Sequence, residues 1–162
     1  MPPNSSYASV QRTPLFVGIG CRHGCGSDVL RQLLDETAAA LAFDVRDVRV
    51  IASIADKREA PAMRELAAVL GCELWFGTAA QLACFDAQVA RPSAAARARF
   101  GVASVAECAA LAAAAACGGD RAKTRLLGPR RAGARATVAV ATDAREDVQC
   151  RLARDHRCPW RV

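Results

Sequence analysis

Residues 18–24 read Gly18-Ile19-Gly20-Cys21-Arg22-His23-Gly24, a turn that joins glycines to a thiol, a guanidinium and an imidazole. The turn follows the apolar run Leu15-Phe16-Val17 and precedes an amphipathic stretch that begins near Ser27. A glycine turn between a strand and a helix brings backbone N–H groups to a ligand, and the positive helix end favours an anion there. Arg22 and His23 add cationic or hydrogen-bonding side chains to the same turn. A second turn, Ser53-Ile54-Ala55-Asp56-Lys57-Arg58-Glu59, follows the next apolar run. Together the two turns read as one site for a polycarboxylate or phosphate ligand.

Each motif also has a plainer account. The glycines of the first turn could serve only to let a helix pack close to its strand. The second turn could be a solvated charge run, with Glu59 favoured by the dipole of the helix that follows. Lys57 weighs toward binding, because it is one of only two lysines in a chain whose other cations are arginines. In that reading Lys57 meets a ligand carboxylate, and Glu59 accepts a hydrogen bond or moves a proton. A dinucleotide fingerprint requires Gly-x-Gly-x-x-Gly. Here Gly24 falls one residue late, and Asp56 is too distant to be a ribose ligand.

Ser104-Val105-Ala106-Glu107 has the spacing of a capping box, which gives Glu107 a structural role beside a possible acid–base one. Ser53 could cap, bind or do neither. Cys21 beside Arg22 and His23 could be an activated thiol near a helix end, but most cysteines are inert. No Ser/His/Asp or Cys/His nucleophile arrangement is evident. Cys21-x-x-x-Cys25 lacks zinc-knuckle spacing, and Cys150, His156 and Cys158 form only a loose cluster near the C-terminus, so no metal site is expected.

The elements that must hold these residues follow from apolar spacing. Leu15–Ile19 predicts a buried strand, and Ser27 or Asp28 caps a helix lined by Val29, Leu30, Leu33, Leu34 and Leu41. Val48–Ile54 is a second strand. Pro61 opens a helix carrying Met63, Leu66, Ala67 and Leu70 on one face, which Gly71 stops. Leu74-Trp75-Phe76 is a third strand, and Thr78 to Gln81 is a capping box for a short helix. Residues 85–100 show no clear period, and Pro92-Ser93 predicts a surface loop. The helix opened by Ser104 runs to about Ala116. Leu126-Leu127 and Thr137–Ala141 are the last strands, linked by the basic, turn-like stretch Gly128–Arg135. Alternating strands and helices followed by two helix-free strands predict an α/β three-layer sandwich. Its sheet should be mixed, mostly parallel, with about five strands. Ligands of such sheets bind beyond the carboxyl ends of the strands, where both turns fall.

The 162 residues suit one domain, expected over 15–142 between a flexible N-terminal tail (1–14) and a charged C-terminal tail (143–162). Net charge is +6, carried by arginines that are scattered and not interleaved with aromatics. That balance suits acidic small ligands, and nucleic acid is not expected. No stretch has the length of a transmembrane span, and the first residues lack the regions of a signal peptide, so a cytoplasmic protein without a membrane partner is expected. The eight cysteines then read mostly as small buried apolar residues.

Four ordered motifs resemble a known family. They are Gly18-Ile-Gly-Cys-Arg-His-Gly24, Ala52-Ser-Ile-Ala-Asp-Lys-Arg-Glu59, Gly101-Val-Ala-Ser-Val-Ala-Glu-Cys-Ala-Ala110 and Thr137-Val-Ala-Val-Ala141. They occur in the order seen in the CobE and CbiG C-terminal domain family of cobalamin (vitamin B12) biosynthesis, over about residues 15–141. The resemblance implies an α/β protein whose ligand is a precorrin or a tetrapyrrole of the hydrogenobyrinic acid type, bearing acetate and propionate arms. It also admits a hydrolase or isomerase acting on a precorrin through Glu59 or His23, or a non-enzymatic partner of another corrin-pathway enzyme such as a methyltransferase. CbiG is associated with opening a lactone on a cobalt-containing precorrin. Only its C-terminal part is matched here, so that activity is not implied, and no cofactor is. The family's Lys-Ala-Asp-Glu-Pro-Gly turn reads here as Lys57-Arg58-Glu59-Ala60-Pro61-Ala62, and its Pro-Lys as Pro129-Arg130. Arginine keeps the charge there but changes the geometry. The resemblance carries over Gly18, Gly20, Arg22, Lys57, Glu59 and Glu107 as binding residues; Cys21, His23, Gly24, Ser53 and Arg130 complete the candidate set.

Overall fold

The computed structural model describes residues 13–118 and 121–143. The two expected tails fall almost wholly outside these residues, as do Cys150, His156 and Cys158. Strand β1 (Leu15–Cys21) leads to helix α1 (Ser27–Leu41), β2 (Val48–Ile54), α2 (Pro61–Leu70) and β3 (Glu73–Gly77). Three helices follow: α3 (Ala79–Ala83), α4 (Ala94–Phe100) and α5 (Val105–Gly118). The short strands β4 (Arg125–Leu126) and β5 (Arg131–Ala132) precede β6 (Ala136–Thr142).

The sheet is open, six-stranded and mixed, in the order β3-β2-β1-β6-β4, with β5 also paired to β6. β1, β2 and β3 run parallel, whereas β6 is antiparallel to β1. The apolar runs of β1 and β2 are buried on both faces, as helices on either side require, whereas the edge strand β3 is half-buried. On one face Val17, Ile19 and Ile51 pack with Leu30 and Leu34 of α1 and with Met63 and Leu66 of α2. On the other, Phe16, Val50 and Ile54 pack with α5 and with Leu82 of α3. The three-layer arrangement expected from the alternating pattern is therefore present. Val29, expected on the buried face of α1, is 37% exposed, and Thr37 and Ala38 are buried instead.

Gly18 governs how closely α5 lies on the sheet. A Cβ there would fall 1.8 Å from the Ala106 carbonyl oxygen, so only a residue without a side chain lets the helix approach this far. The alanine-rich sequence of α5 answers this need from the other side, with Ala109, Ala110, Ala113 and Ala114 fully buried.

The parallel ladder between β1 and β2 ends at Gly18–Ala52, although the strands continue to Cys21 and Ile54. Beyond that point the fully buried Ser53 hydroxyl donates to the Ile19 carbonyl at 2.6 Å, replacing a ladder bond. The stretch expected to be a loop over 85–100 contains α4. The Ser93 hydroxyl caps it by accepting the Ala96 N–H, and Gly101 ends it at φ 73°. Its two basic residues in the last turn suit the carboxyl end of a helix, a signal that an apolar-period search overlooks.

Candidate functional site at the carboxyl edge of the sheet

Parallel neighbours send their following loops to the same edge, so the turns after β1 and β2 lie side by side. Because β6 is antiparallel, its first residue, Ala136, sits opposite Cys21 at that edge. The residue before it, Arg135, is drawn into the first turn. Its carbonyl accepts the Arg22 N–H at 2.9 Å, and its guanidinium donates to the His23 carbonyl at 3.3 Å. Burial pushes the Cys21 thiol up from its usual range, while nearby Lys57 opposes the shift. Burial also raises Cys25, opposed by Arg135 and Lys57, with Asp28 acting the other way. Lys57 and Arg135 thus both bear on the turn that carries Arg22. Half-buried Lys57 and exposed Arg22 and Arg135 have no carboxylate partner among the described residues.

The individual residues divide into groups. Gly24 adopts φ 76°, the left-handed conformation that glycine tolerates, and turns the chain beneath the Arg135 guanidinium. Gly20 faces Thr137, whose hydroxyl donates to its carbonyl at 3.5 Å. Gly18 lies deeper, under α5. The Arg22 amide already donates to Arg135, so the backbone cradle read from the sequence has fewer N–H groups to offer than the glycine count suggests. Exposed His23 projects from the turn. Ser53 is enclosed within the sheet and braces β1.

Glu59 sits on the surface, 87% exposed, and pairs with Arg64 of α2 at 3.0 Å. Glu107 is the opposite case, with no exposed surface. Only half of its expected capping box forms: the Ser104 hydroxyl accepts the Glu107 N–H at 3.3 Å. The Glu107 carboxylate turns to another task, accepting the Ala90 N–H at 2.5 Å and the Arg91 N–H at 3.2 Å. Arg130 lies 3.8 Å from it and donates to the Arg91 carbonyl at 3.0 Å. These contacts tie the connection before α4 to α5 and to the approach to β5.

Sequence reasoning passed over Arg135 and Asp86. Arg135 had one signal, its place at the end of the basic link before the last strand. Asp86 lies in the stretch read as loop. It accepts the Ala103 N–H at 2.8 Å and pairs with Arg97 at 2.9 Å. Partial burial pushes its pKa up, but the Ala103 amide, Arg97 and the Cys108 thiol outweigh that and hold it below the usual carboxylate range. Cys21, Cys25, Cys72 and Cys108 are free thiols. Burial pushes Cys72 up to about 11 and Cys108 up to about 12. Among the described residues no three His, Cys, Asp or Glu side chains gather as a metal ion would require. No single helix there is long and apolar enough to cross a membrane.

Residues 15–141 match the family model described as cobalamin synthesis G C-terminus. Among solved structures, the chain is similar to CobE, described as a protein from the cobalamin (vitamin B12) biosynthetic pathway. The two are 39% identical over 82% of this chain and 92% of that one, with a TM-score of 0.77. Cobalamin biosynthesis protein chiG from Agrobacterium tumefaciens str. C58 is 27% identical over 79% of this chain and 97% of its own, with a TM-score of 0.56. A putative cobalamin biosynthesis protein G homolog from Sulfolobus solfataricus shares the fold at 20% identity and a TM-score of 0.61; the match covers 83% of this chain and 38% of that one. No curated protein matches the chain. With the family match spanning nearly all of the described residues and CobE 39% identical over most of both chains, the chain belongs to the cobalamin synthesis G C-terminal family, the CobE- and CbiG-like proteins of cobalamin biosynthesis.

Proposed function

We propose that this protein binds a polycarboxylate corrin-ring intermediate, of the precorrin or hydrogenobyrinic acid type, at the carboxyl edge of its sheet. The observation that carries this reading is that Arg22 and Lys57 follow neighbouring parallel strands at one edge of the sheet, where neither has a carboxylate partner among the described residues. The helix arginines differ: Arg31, Arg64 and Arg97 each have a carboxylate, and Arg99 lies over the Phe100 ring. Charge left uncompensated in one place is charge available to an anionic ligand. A ligand carrying several carboxylates makes several charge-assisted hydrogen bonds, each contributing about 1.5–3 kcal/mol. A few such bonds support micromolar binding after the costs of association.

The test is a titration of the protein with hydrogenobyrinic acid, followed by the visible spectrum of the ligand. Saturable spectral change in the wild type and weaker binding by Lys57→Ala are expected. Absence of any change with the wild type would overturn the reading.

A catalytic reading through Glu59 or His23 draws less support. Glu59 is engaged with Arg64 on the surface of α2, and His23 stands exposed at the tip of its turn. A docking role toward another pathway enzyme has little apolar surface to use: the exposed large hydrophobic residues among those described are Val29 and Val69, on different helices.

A further inference from the structure

We propose that Arg135 is a third ligand-binding cation of this site, so that the β5–β6 turn forms one wall and the ligand must carry at least three carboxylates to use all of it. The inference rests on the binding reading above and extends it to a segment that neither turn motif contains.

Four observations place Arg135 there. Its backbone is fixed by the Arg22 N–H, so the first turn and the start of β6 move as one piece. Its guanidinium reaches across to the His23 carbonyl at 3.3 Å, which holds it over the turn. Gly24 lies next to it: a Cβ built at that position would stand 3.9 Å from the guanidinium, in ordinary contact. The sheet order sets β1 between β2 and β6, so the turn after β2 that carries Lys57 and the start of β6 next to Arg135 lie on either side of the end of β1.

A bond to one carbonyl does not neutralise a guanidinium, which has five N–H donors in a fixed fork. Asp28, at the start of α1, also influences Cys25, but it makes no ion pair with Arg135. The remaining donors of Arg135 suit a carboxylate, which a guanidinium grips through two parallel bonds. A flexible surface arginine without this anchoring would lose more side-chain entropy on binding.

The ring carboxylates make the class of ligand specific. A phosphate satisfies one cluster of donors at one point. Three cations carried on three separate segments, the turns after β1 and β2 and the turn before β6, fit a broad molecule with anionic arms around its rim.

The experiment titrates hydrogenobyrinic acid, and separately its neutral methyl ester, into the wild type and five variants, Lys57→Ala among them. Arg135→Ala and Arg135→Gln are each expected to bind the acid about tenfold more weakly or worse. Glutamine keeps a donor for the His23 carbonyl, so weakening in Arg135→Gln assigns the effect to charge rather than to a disordered turn. Arg135→Lys should fall between these variants and the wild type. Arg49→Ala removes the same charge at the opposite end of β2, where Arg49 is exposed and unpaired among the described residues, and should bind as the wild type does. The affinity of the wild type should fall with added salt, and that of Arg135→Gln less steeply. The methyl ester should not compete. If the wild type and Lys57→Ala behave as expected but both Arg135→Ala and Arg135→Gln bind normally, the third-cation assignment is overturned and the binding reading stands. Failure of the wild type to bind the acid would overturn both.

Discussion

Two clusters of charge are linked to the carboxyl half of the sheet, and the protein treats them in opposite ways. Around Lys57, Arg22 and Arg135 the cations lack carboxylates among the described residues. Around Glu107 a buried carboxylate accepts two backbone N–H groups and faces Arg130. The second cluster is closed on itself and holds loops together; the first is open toward solvent. The same residue types are therefore closed on one another in one place and, in the binding reading proposed above, left for a ligand in the other. What separates them is whether the counter-charge is built into the chain. A buried carboxylate must be satisfied from within, because no water is there to do it. An exposed guanidinium can wait for a ligand at little cost.

The strongest challenge to this division lies between the clusters, at Gly18. Gly18→Ala would drive a methyl group against the Ala106 carbonyl, and overpacking of that kind should cost about 3 kcal/mol or more. Thermal or denaturant unfolding would show it. A mild effect would mean that α5 can retreat and that the close approach is not required. Glu107→Gln is next. It leaves one of the two N–H donors facing an amide NH2 and removes the counter-charge of Arg130, a loss of about 2–3 kcal/mol. Its effect on ligand affinity should be smaller than its effect on stability. The reverse result would move Glu107 from the closed cluster to the open one.

Lys57→Ala inverts that pattern. Its unfolding curve should match the wild type, whereas binding of hydrogenobyrinic acid weakens about tenfold. The thiols give an independent view of the same edge. With its pKa raised by burial, Cys21 should alkylate slowly at neutral pH and faster as pH rises. Removing the opposing charge in Lys57→Ala should raise the pKa further and slow the reaction at a given pH. Bound ligand should protect Cys21, which peptide mass mapping can read residue by residue.

The smallest effect belongs to Glu59→Gln. An exposed pair with Arg64 contributes about 0–1 kcal/mol, so neither stability nor binding should change measurably. A large loss of activity on any precorrin would restore Glu59 as a proton-transfer group. Asp86 supplies the pH signature of the closed region. Its folded-state pKa is depressed, so its contribution is present above the ordinary carboxylate range and is lost as pH falls through the lowered value. Asp86→Asn should remove that part of the acid sensitivity.

Much of the fold was legible because it rests on local pattern. Leu15–Ile19, Val48–Ile54 and Leu74–Phe76 are apolar runs of strand length, and Pro61 with Gly71 brackets α2 at both ends. The capping box at Thr78 and Gln81 forms as its spacing predicts. Where the period failed, over 85–100, the helix present is short and held by its Ser93 cap and by the Arg97–Asp86 pair. The site was legible only in part. The turns after β1 and β2 could be placed together because consecutive parallel strands end at one edge. Ser104 and Glu107 have capping-box spacing, yet the carboxylate found stronger partners in the amides of Ala90 and Arg91, which no local spacing reveals.

By itself the sequence determined the strands, the helices with strong caps, and the presence of two polar turns able to meet an anion, since these depend on neighbours within a few residues. Only the tertiary structure decided that Gly18 makes room for a helix, that Glu107 ties distant loops together, and that Arg135, more than a hundred residues from His23, comes to lie over its carbonyl. The reason is antiparallel pairing between the first and last strands, which brings opposite ends of the described chain to one edge and leaves no periodic trace in the residues it joins.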